Sequence, residues 1–319
     1  MIVLTDKTRN KPKGDFRDAV FGAIEAIMLT DVNTIILTND MGAVGLDKIK
    51  EFAPTRVINV GITEQNMMSV AGGLAVSGRM VFVFGIISHL IFRALEQIKL
   101  DICVPNLPVI IIGVGAGLAY GVDGPTHQGL EDMAITRILP NLSIYNPSDC
   151  ISTSKSIEFA YKSKTPSYIR IDKENLPNLY DNIISDNWKM FIHGQNSDGV
   201  ILGTGMTTWA SLHAQEILNT NKISCQVIDL IRIKPLPEEE LLWQFKNKKW
   251  VVVVDEATSC GGFGEFVSSL LLQSNLDFFI SINVGKEFLL GSAKREWVWH
   301  KFGIDGELIA ESILQKLNQ

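Results

Sequence analysis

Cysteine is scarce and scattered in this chain of 319 residues. Cys103, Cys150, Cys225 and Cys260 include no Cys-x-x-Cys pair, so neither a zinc knuckle nor a disulfide framework is indicated. Each reads as a small buried hydrophobe. A basic surplus is also missing: 29 Lys and Arg against 35 Asp and Glu give a net charge of -6 and leave no broad basic surface for nucleic acid. No apolar run suits a membrane span, because the longest, 108–122, is short and broken by four glycines. The N-terminus places Ile2, Val3 and Leu4 ahead of its charges, the reverse of a secretory signal. Internal repeats, low-complexity tracts and heptads are absent. These absences make a soluble cytoplasmic protein the expectation.

What remains is an ordinary globular composition, 46% hydrophobic and 20% charged, large enough for two domains. Apolar residues recur at helical spacing over 15–28, and 34–38 then reads as a buried strand. Helices are expected over 67–76, 90–102, 131–139 and 152–162, with strands over 80–84, 108–113, 142–145 and 167–171. Short continuous apolar strands alternating with helices fit a parallel sheet covered on both faces. The segment 173–197, rich in Asn, Asp and Pro, reads as a linker. A second alternating series follows, with strands over 200–202, 224–229, 250–254 and 278–284 and helices over 207–218, 238–245, 264–272 and 305–317. The expected fold is two α/β domains, 1–190 and 191–319, each a mostly parallel sheet flanked by helices.

Two motifs carry the chemistry. Val57-Ile-Asn-Val-Gly-Ile-Thr-Glu64-Gln places an acid where a strand gives way to a helix of small and apolar residues. An isolated Glu there would be a first-turn acid favoured by the helix dipole. Burial among apolar neighbours would raise its pKa and let it hold or share a proton. Asp123-Gly-Pro-Thr-His127-Gln-Gly places a histidine in a loop after the strand 108–113. A lone loop histidine is by default a surface or satisfied structural residue.

Together these motifs resemble the pyrimidine-binding half of transketolases and deoxyxylulose-phosphate synthases. The likeness runs almost to the C-terminus through Cys225-Gln-Val-Ile-Asp-Leu-Ile-Arg and Asp255-Glu-Ala-Thr-Ser-Cys-Gly-Gly-Phe-Gly-Glu265. The second of these reads as a tight turn, because Gly-Gly-Phe-Gly lacks both dinucleotide spacing and the Walker lysine. The resemblance implies that Glu64 hydrogen-bonds N1′ of the aminopyrimidine of thiamine diphosphate and favours its imino tautomer. It implies that His127 contacts the donor sugar's oxygens and assists proton movement, and that Asp123 orients a substrate hydroxyl. Arg17 and Lys173 match arginines that hold a sugar phosphate, with Lys retaining only a point charge where Arg gives bidentate contact. Asp40 falls at a cofactor-side acid and equally suits a turn.

The sequence departs from the family at three places. The segment 86–93 lacks the usual aromatics over the pyrimidine; Phe92 or Phe84 could take that place, although both also suit core packing. A substrate-contacting histidine of the family aligns with Gly115. The diphosphate-binding half, with its Gly-Asp-Gly signature, has no counterpart. The resemblance therefore implies the C-terminal subunit of a split transketolase, inactive alone. An N-terminal partner would supply the Mg²⁺ and diphosphate contacts in an α₂β₂ heterotetramer. Two alternatives stand beside it: the β-subunit of the decarboxylating component of a 2-oxoacid dehydrogenase, which carries a different His-containing sequence at 123–129, and a non-catalytic partner-binding homologue.

Overall fold

Thr34–Thr38, Val109–Val114 and Ser167–Ile171 are buried at every position in the computed structural model, which describes residues 2–4, 8, 10–181, 188–195, 197–272 and 274–319. Strands without an alternating polar face must be covered on both sides, and helices cover them. The expected two α/β domains are present.

The first sheet has seven strands in the order Arg232–Lys234, Ser143–Tyr145, Ser167–Ile171, Val109–Val114, Met80–Ile86, Thr34–Thr38 and Val57–Asn59. All pair in parallel except Arg232–Lys234, which runs antiparallel to Ser143–Tyr145. The second sheet has five strands, Phe278–Ile282, Trp250–Val254, Gly199–Gly203, Cys225–Leu230 and Met190–His193, with only the last antiparallel. The chain thus lends one strand of its second half to the first sheet. That crossing lay outside the sequence reading, because Arg232-Ile-Lys234 is too short to show a period.

Several expected elements are redrawn. The single helix over 90–102 is instead an α-helix Ile87–Arg93, a short α-helical piece Leu95–Gln97 and a π-helix Ile98–Cys103. Periodicity over so few residues does not separate α from π winding. The π-helix packs on the helix Glu64–Val76, where Ser69 Oγ donates to Asp101 Oδ2 at 2.6 Å. The segment read as a linker carries strand Asn175–Pro177, which pairs with Lys13–Asp15, and strand Met190–His193; its positions 182–187 and 196 lie outside the described residues. Among the described residues two α-helices went unread, Val44–Phe52 and Arg295–Phe302. Cys103 and Cys225 are buried as expected, whereas Cys150 is half-buried and Cys260 exposed beside the turn at Gly261. That turn is tight: a Cβ on Gly262 would lie 2.0 Å from the Thr258 carbonyl oxygen. Among the described residues, no helix is long and apolar enough to cross a membrane.

Buried charge fixes the segment that carries the His127 loop. Asp132, fully buried, accepts from Tyr168 Oη at 2.6 Å and from Arg170 Nε and Nη2 at 3.0 and 3.1 Å; Arg170 also donates to the Gly129 carbonyl at 3.0 Å. Removing one member of such a pair leaves an uncompensated buried charge. Asp132→Ala is therefore expected to cost about 3–5 kcal/mol of stability, read as a lowered urea midpoint with an unchanged m-value. A loss below about 1 kcal/mol would show that the pair does not hold this region.

Candidate functional site

The carboxyl-terminal ends of the parallel strands gather the residues singled out above, which is where open α/β sheets place their ligands. Asn39 and Asp40 follow Thr34–Thr38, and Glu64 follows Val57–Asn59 after a four-residue loop. The helix Ile87–Arg93 follows Met80–Ile86, the loop 115–128 follows Val109–Val114, and Lys173 follows Ser167–Ile171. Arg17 sits in the first turn of Phe16–Thr30.

Glu64 opens the helix Glu64–Val76 and is only 4% exposed. Its Oε1 accepts from Asn39 Nδ2 at 3.0 Å and from Arg93 Nη1 at 2.8 Å, so both contacts fall on one oxygen. The expected rise in pKa does not occur. Burial does push the carboxyl up and is the largest influence, but its own backbone N–H, Arg93 and Asn39 together outweigh it, and the pKa lies below the usual value. Asn39 is nearly buried, and its Oδ1 finds no partner among the described residues. An orphaned acceptor beside a buried carboxylate calls for an incoming donor.

His127 is half-buried, with Nδ1 2.9 Å from Thr126 Oγ1. Its ring meets that of His89 edge-on at 4.9 Å and that of Tyr120 at 6.2 Å. Burial first, then Arg93 and His127, lower the His89 pKa, so His89 is neutral near pH 7. Ser88 Oγ donates to the Thr126 carbonyl at 2.9 Å and ties this loop to the helix carrying His89 and Arg93. Lys173 Nζ lies 4.1 Å above the Tyr120 ring. Arg17 lies close enough to Tyr120 to shift its titration, and spends Nε and Nη2 on Asp15 at 3.0 and 2.6 Å.

A continuous line therefore runs Glu64, Arg93, His89, His127, Tyr120, and on to Lys173 and Arg17. The other expected residues sit beside it. Asp40, exposed and at φ 64°, exchanges hydrogen bonds with Asn59 next to Asn39. Asp123 is exposed in the loop of His127. Phe84 is core, packed edge-on against Phe21, whereas Phe92 is 48% exposed and so is not a core residue. Sequence reasoning passed over Asn39, His89, Arg93 and Tyr120, although each lies within or beside a segment it quoted. It also missed Arg295 and Glu256 of the second domain. Buried Arg295 binds Asp172 and Glu256 Oε1 (2.8 Å) and donates to the Ala116 carbonyl at 3.3 Å, while Glu256 Oε2 accepts from Leu118 N–H at 3.3 Å. The second domain thus braces the loop 115–128 from behind.

Residues 13–178 match the family model of the transketolase pyrimidine binding domain, and 189–309 that of the transketolase C-terminal domain. The chain belongs to the transketolase family. A putative transketolase C-terminal section of Methanocaldococcus jannaschii is 33% identical over 276 residues, 85% of each chain. The 1-deoxy-D-xylulose-5-phosphate synthase of Microcystis aeruginosa is 31% identical over 96% of this chain and 49% of its own length. A solved split gene transketolase, described as an inactive beta4 tetramer, superposes with a TM-score of 0.84 at 26% identity, covering 95% of this chain and 98% of that one. The line from Glu64 to Lys173 falls wholly within the part of the chain that matches the pyrimidine binding domain.

Proposed function

We propose that this chain is the C-terminal subunit of a two-chain, thiamine-diphosphate-dependent transketolase that moves a two-carbon ketol unit from a ketose phosphate to an aldose acceptor. The observation that carries the reading is Glu64: a carboxylate 4% exposed at a strand-to-helix junction, beside the unpartnered Asn39 Oδ1. Those two groups fit an aminopyrimidine, a flat heterocycle with both donors and acceptors on its edge. When bound, the cofactor supplies carbanion stabilisation at the donor's carbonyl carbon.

This chain's residues hold and move protons around it. Glu64 holds the proton at N1′. The lowered pKa, held down by Glu64's own backbone N–H and then by Arg93 and Asn39, belongs to a carboxyl whose partner Arg93 is still 48% exposed; closing the site strengthens desolvation and moves Glu64 back toward proton sharing. Phe92, exposed next to Arg93, is assigned to the face of the pyrimidine, and Asp40 to the rim on the cofactor side. His127, with neutral His89 against it, is placed to take and return a proton at the donor sugar's hydroxyl. Asp123 orients that sugar. Arg17 and Lys173 hold its phosphate; Arg17 keeps Nη1 for this after pairing with Asp15.

The diphosphate and Mg²⁺ contacts are assigned to an N-terminal partner subunit in an α₂β₂ heterotetramer, with residues 1–190 forming the cofactor-binding domain and 191–319 an assembly domain. Exposed apolar side chains flank the site and support a covering partner: Ile62 is 69% exposed, Val44 71%, Phe92 48% and Val122 47%. The test is a coupled assay of the assembled complex with thiamine diphosphate and Mg²⁺. Ketol transfer from a ketose phosphate is the expected result; oxidative decarboxylation of a 2-oxoacid without ketol transfer would assign the chain to the dehydrogenase instead. In the same assay Arg17→Ala and Lys173→Ala are each expected to raise KM for the phosphorylated donor about tenfold with kcat little changed. Equal KM values for variants and wild type would remove both from phosphate binding.

A further inference from the structure

Gly115 and Tyr120 are coupled in a way that alters the substrate end of the site. Gly115 sits at φ +105°, and a Cβ built there would lie 2.5 and 2.6 Å from Tyr120 Cδ2 and Cε2. No side chain fits at 115 while the Tyr120 ring is in place. The ring is held on one side by Lys173 Nζ, 4.1 Å from its centroid, a cation–π contact that also fixes the ammonium. On another side it meets the His127 ring, with centroids 6.2 Å apart. Its hydroxyl has no hydrogen-bond partner among the described residues, and the residue is neither fully buried nor free in solvent. Burial is the main influence on its titration and raises the phenol pKa, so the hydroxyl keeps its proton and is a donor at neutral pH.

We propose that Tyr120 is a substrate-contacting, specificity-determining residue: its ring occupies the space that a side chain at 115 would need, and its hydroxyl donates to the anionic end of a sugar phosphate held between Arg17, Lys173 and His127. The proposal rests on the reading of the site as a sugar-phosphate site. Three features converge on it. The Lys173 ammonium lies over the ring, the Arg17 guanidinium is near enough to act electrostatically on the phenol, and the ring closes position 115 to any side chain. A substrate with a neutral hydroxyl at that end would gain the single hydroxyl contact and forfeit the two charged ones.

The test uses the full-length chain in wild-type, Tyr120→Phe and Tyr120→Leu forms, titrated by NMR with ribose 5-phosphate and, separately, with ribose. Wild type should bind ribose 5-phosphate in preference to ribose. Tyr120→Phe should weaken ribose 5-phosphate about tenfold and ribose by less, because a neutral hydroxyl loses a weaker hydrogen bond than a phosphate does, and Tyr120→Leu should weaken ribose 5-phosphate further because Lys173 loses its ring. Melting curves that match wild type establish that the variants fold. Equal binding of ribose 5-phosphate by all three forms, or no preference for the phosphate in wild type, would overturn the assignment. In the assembled complex the same Phe variant should raise KM for a phosphorylated donor and spare kcat. If the binding pattern holds while wild-type complex shows no ketol transfer, the reaction assignment fails and Tyr120's role in holding the sugar phosphate stands.

Discussion

Glu64→Gln, assayed with the partner subunit, thiamine diphosphate and Mg²⁺ present, is expected to lower kcat by about 10²–10⁴-fold, the range for loss of a positioned proton-transfer group. The substitution keeps the side chain's size and its acceptor oxygen, so Asn39 Nδ2 retains its bond, now 3.0 Å to Glu64 Oε1. What is lost is the ability to hold a proton and the charge that pairs with Arg93. Because Arg93 is 48% exposed, that pair contributes little to folding, on the order of 1 kcal/mol or less. Stability should therefore stay near wild type while turnover collapses. Glu64→Ala should be at least as inactive, and rescue of neither by added cofactor is expected, since the defect lies in proton handling. A Gln variant with wild-type kcat would remove Glu64 from the chemistry; one that is inactive and also unfolded would instead make it a structural residue.

The second large effect is the dependence on a partner. Purified alone, this chain is expected to give no ketol transfer above background, and adding an N-terminal subunit that carries the Gly-Asp-Gly signature should raise the rate by about 10³-fold or more, since a site assembled from two chains loses both positioning and electrostatic stabilisation when one is missing. The surface around Glu64 argues the same way. Ile62, Val44 and Phe92 stand exposed around a carboxylate that is itself buried, and an interface of the usual size would cover them. Light scattering with the two chains mixed should report a complex heavier than either alone. Full activity of the isolated chain would contradict the two-chain reading outright.

Much of this was legible in the amino-acid sequence, for physical reasons particular to certain elements. Thr34–Thr38, Val109–Val114 and Trp250–Val254 are continuous apolar runs with no polar face, so buried parallel strands were the only economical reading. Glu64 and His127 stood out because each follows a strand and sits in a motif with loop-forming or helix-starting neighbours. The electrostatics around Glu64 were not legible: Arg93 lies 29 positions away, and nothing in the spacing says that its guanidinium returns to the carboxylate. The same holds for the clamp on the loop 115–128, where Arg295 reaches Asp172 across 123 positions. Arg232–Lys234 joins the first sheet although it belongs in sequence to the second half, a choice made by tertiary pairing with Ser143–Tyr145 and not by local propensity. Phe92 shows the converse limit: its hydrophobicity suited a core, and only the helix orientation of Ile87–Arg93 leaves it half exposed at the site.

The most direct measurement is a crystal structure of this chain co-assembled with its N-terminal partner and thiamine diphosphate. The account predicts a Glu64 carboxylate oxygen about 2.6–3.2 Å from N1′ of the aminopyrimidine, with Asn39 alongside and the diphosphate held by the partner. A cofactor bound elsewhere, with Glu64 still closed on Arg93 and facing no ligand, would contradict it.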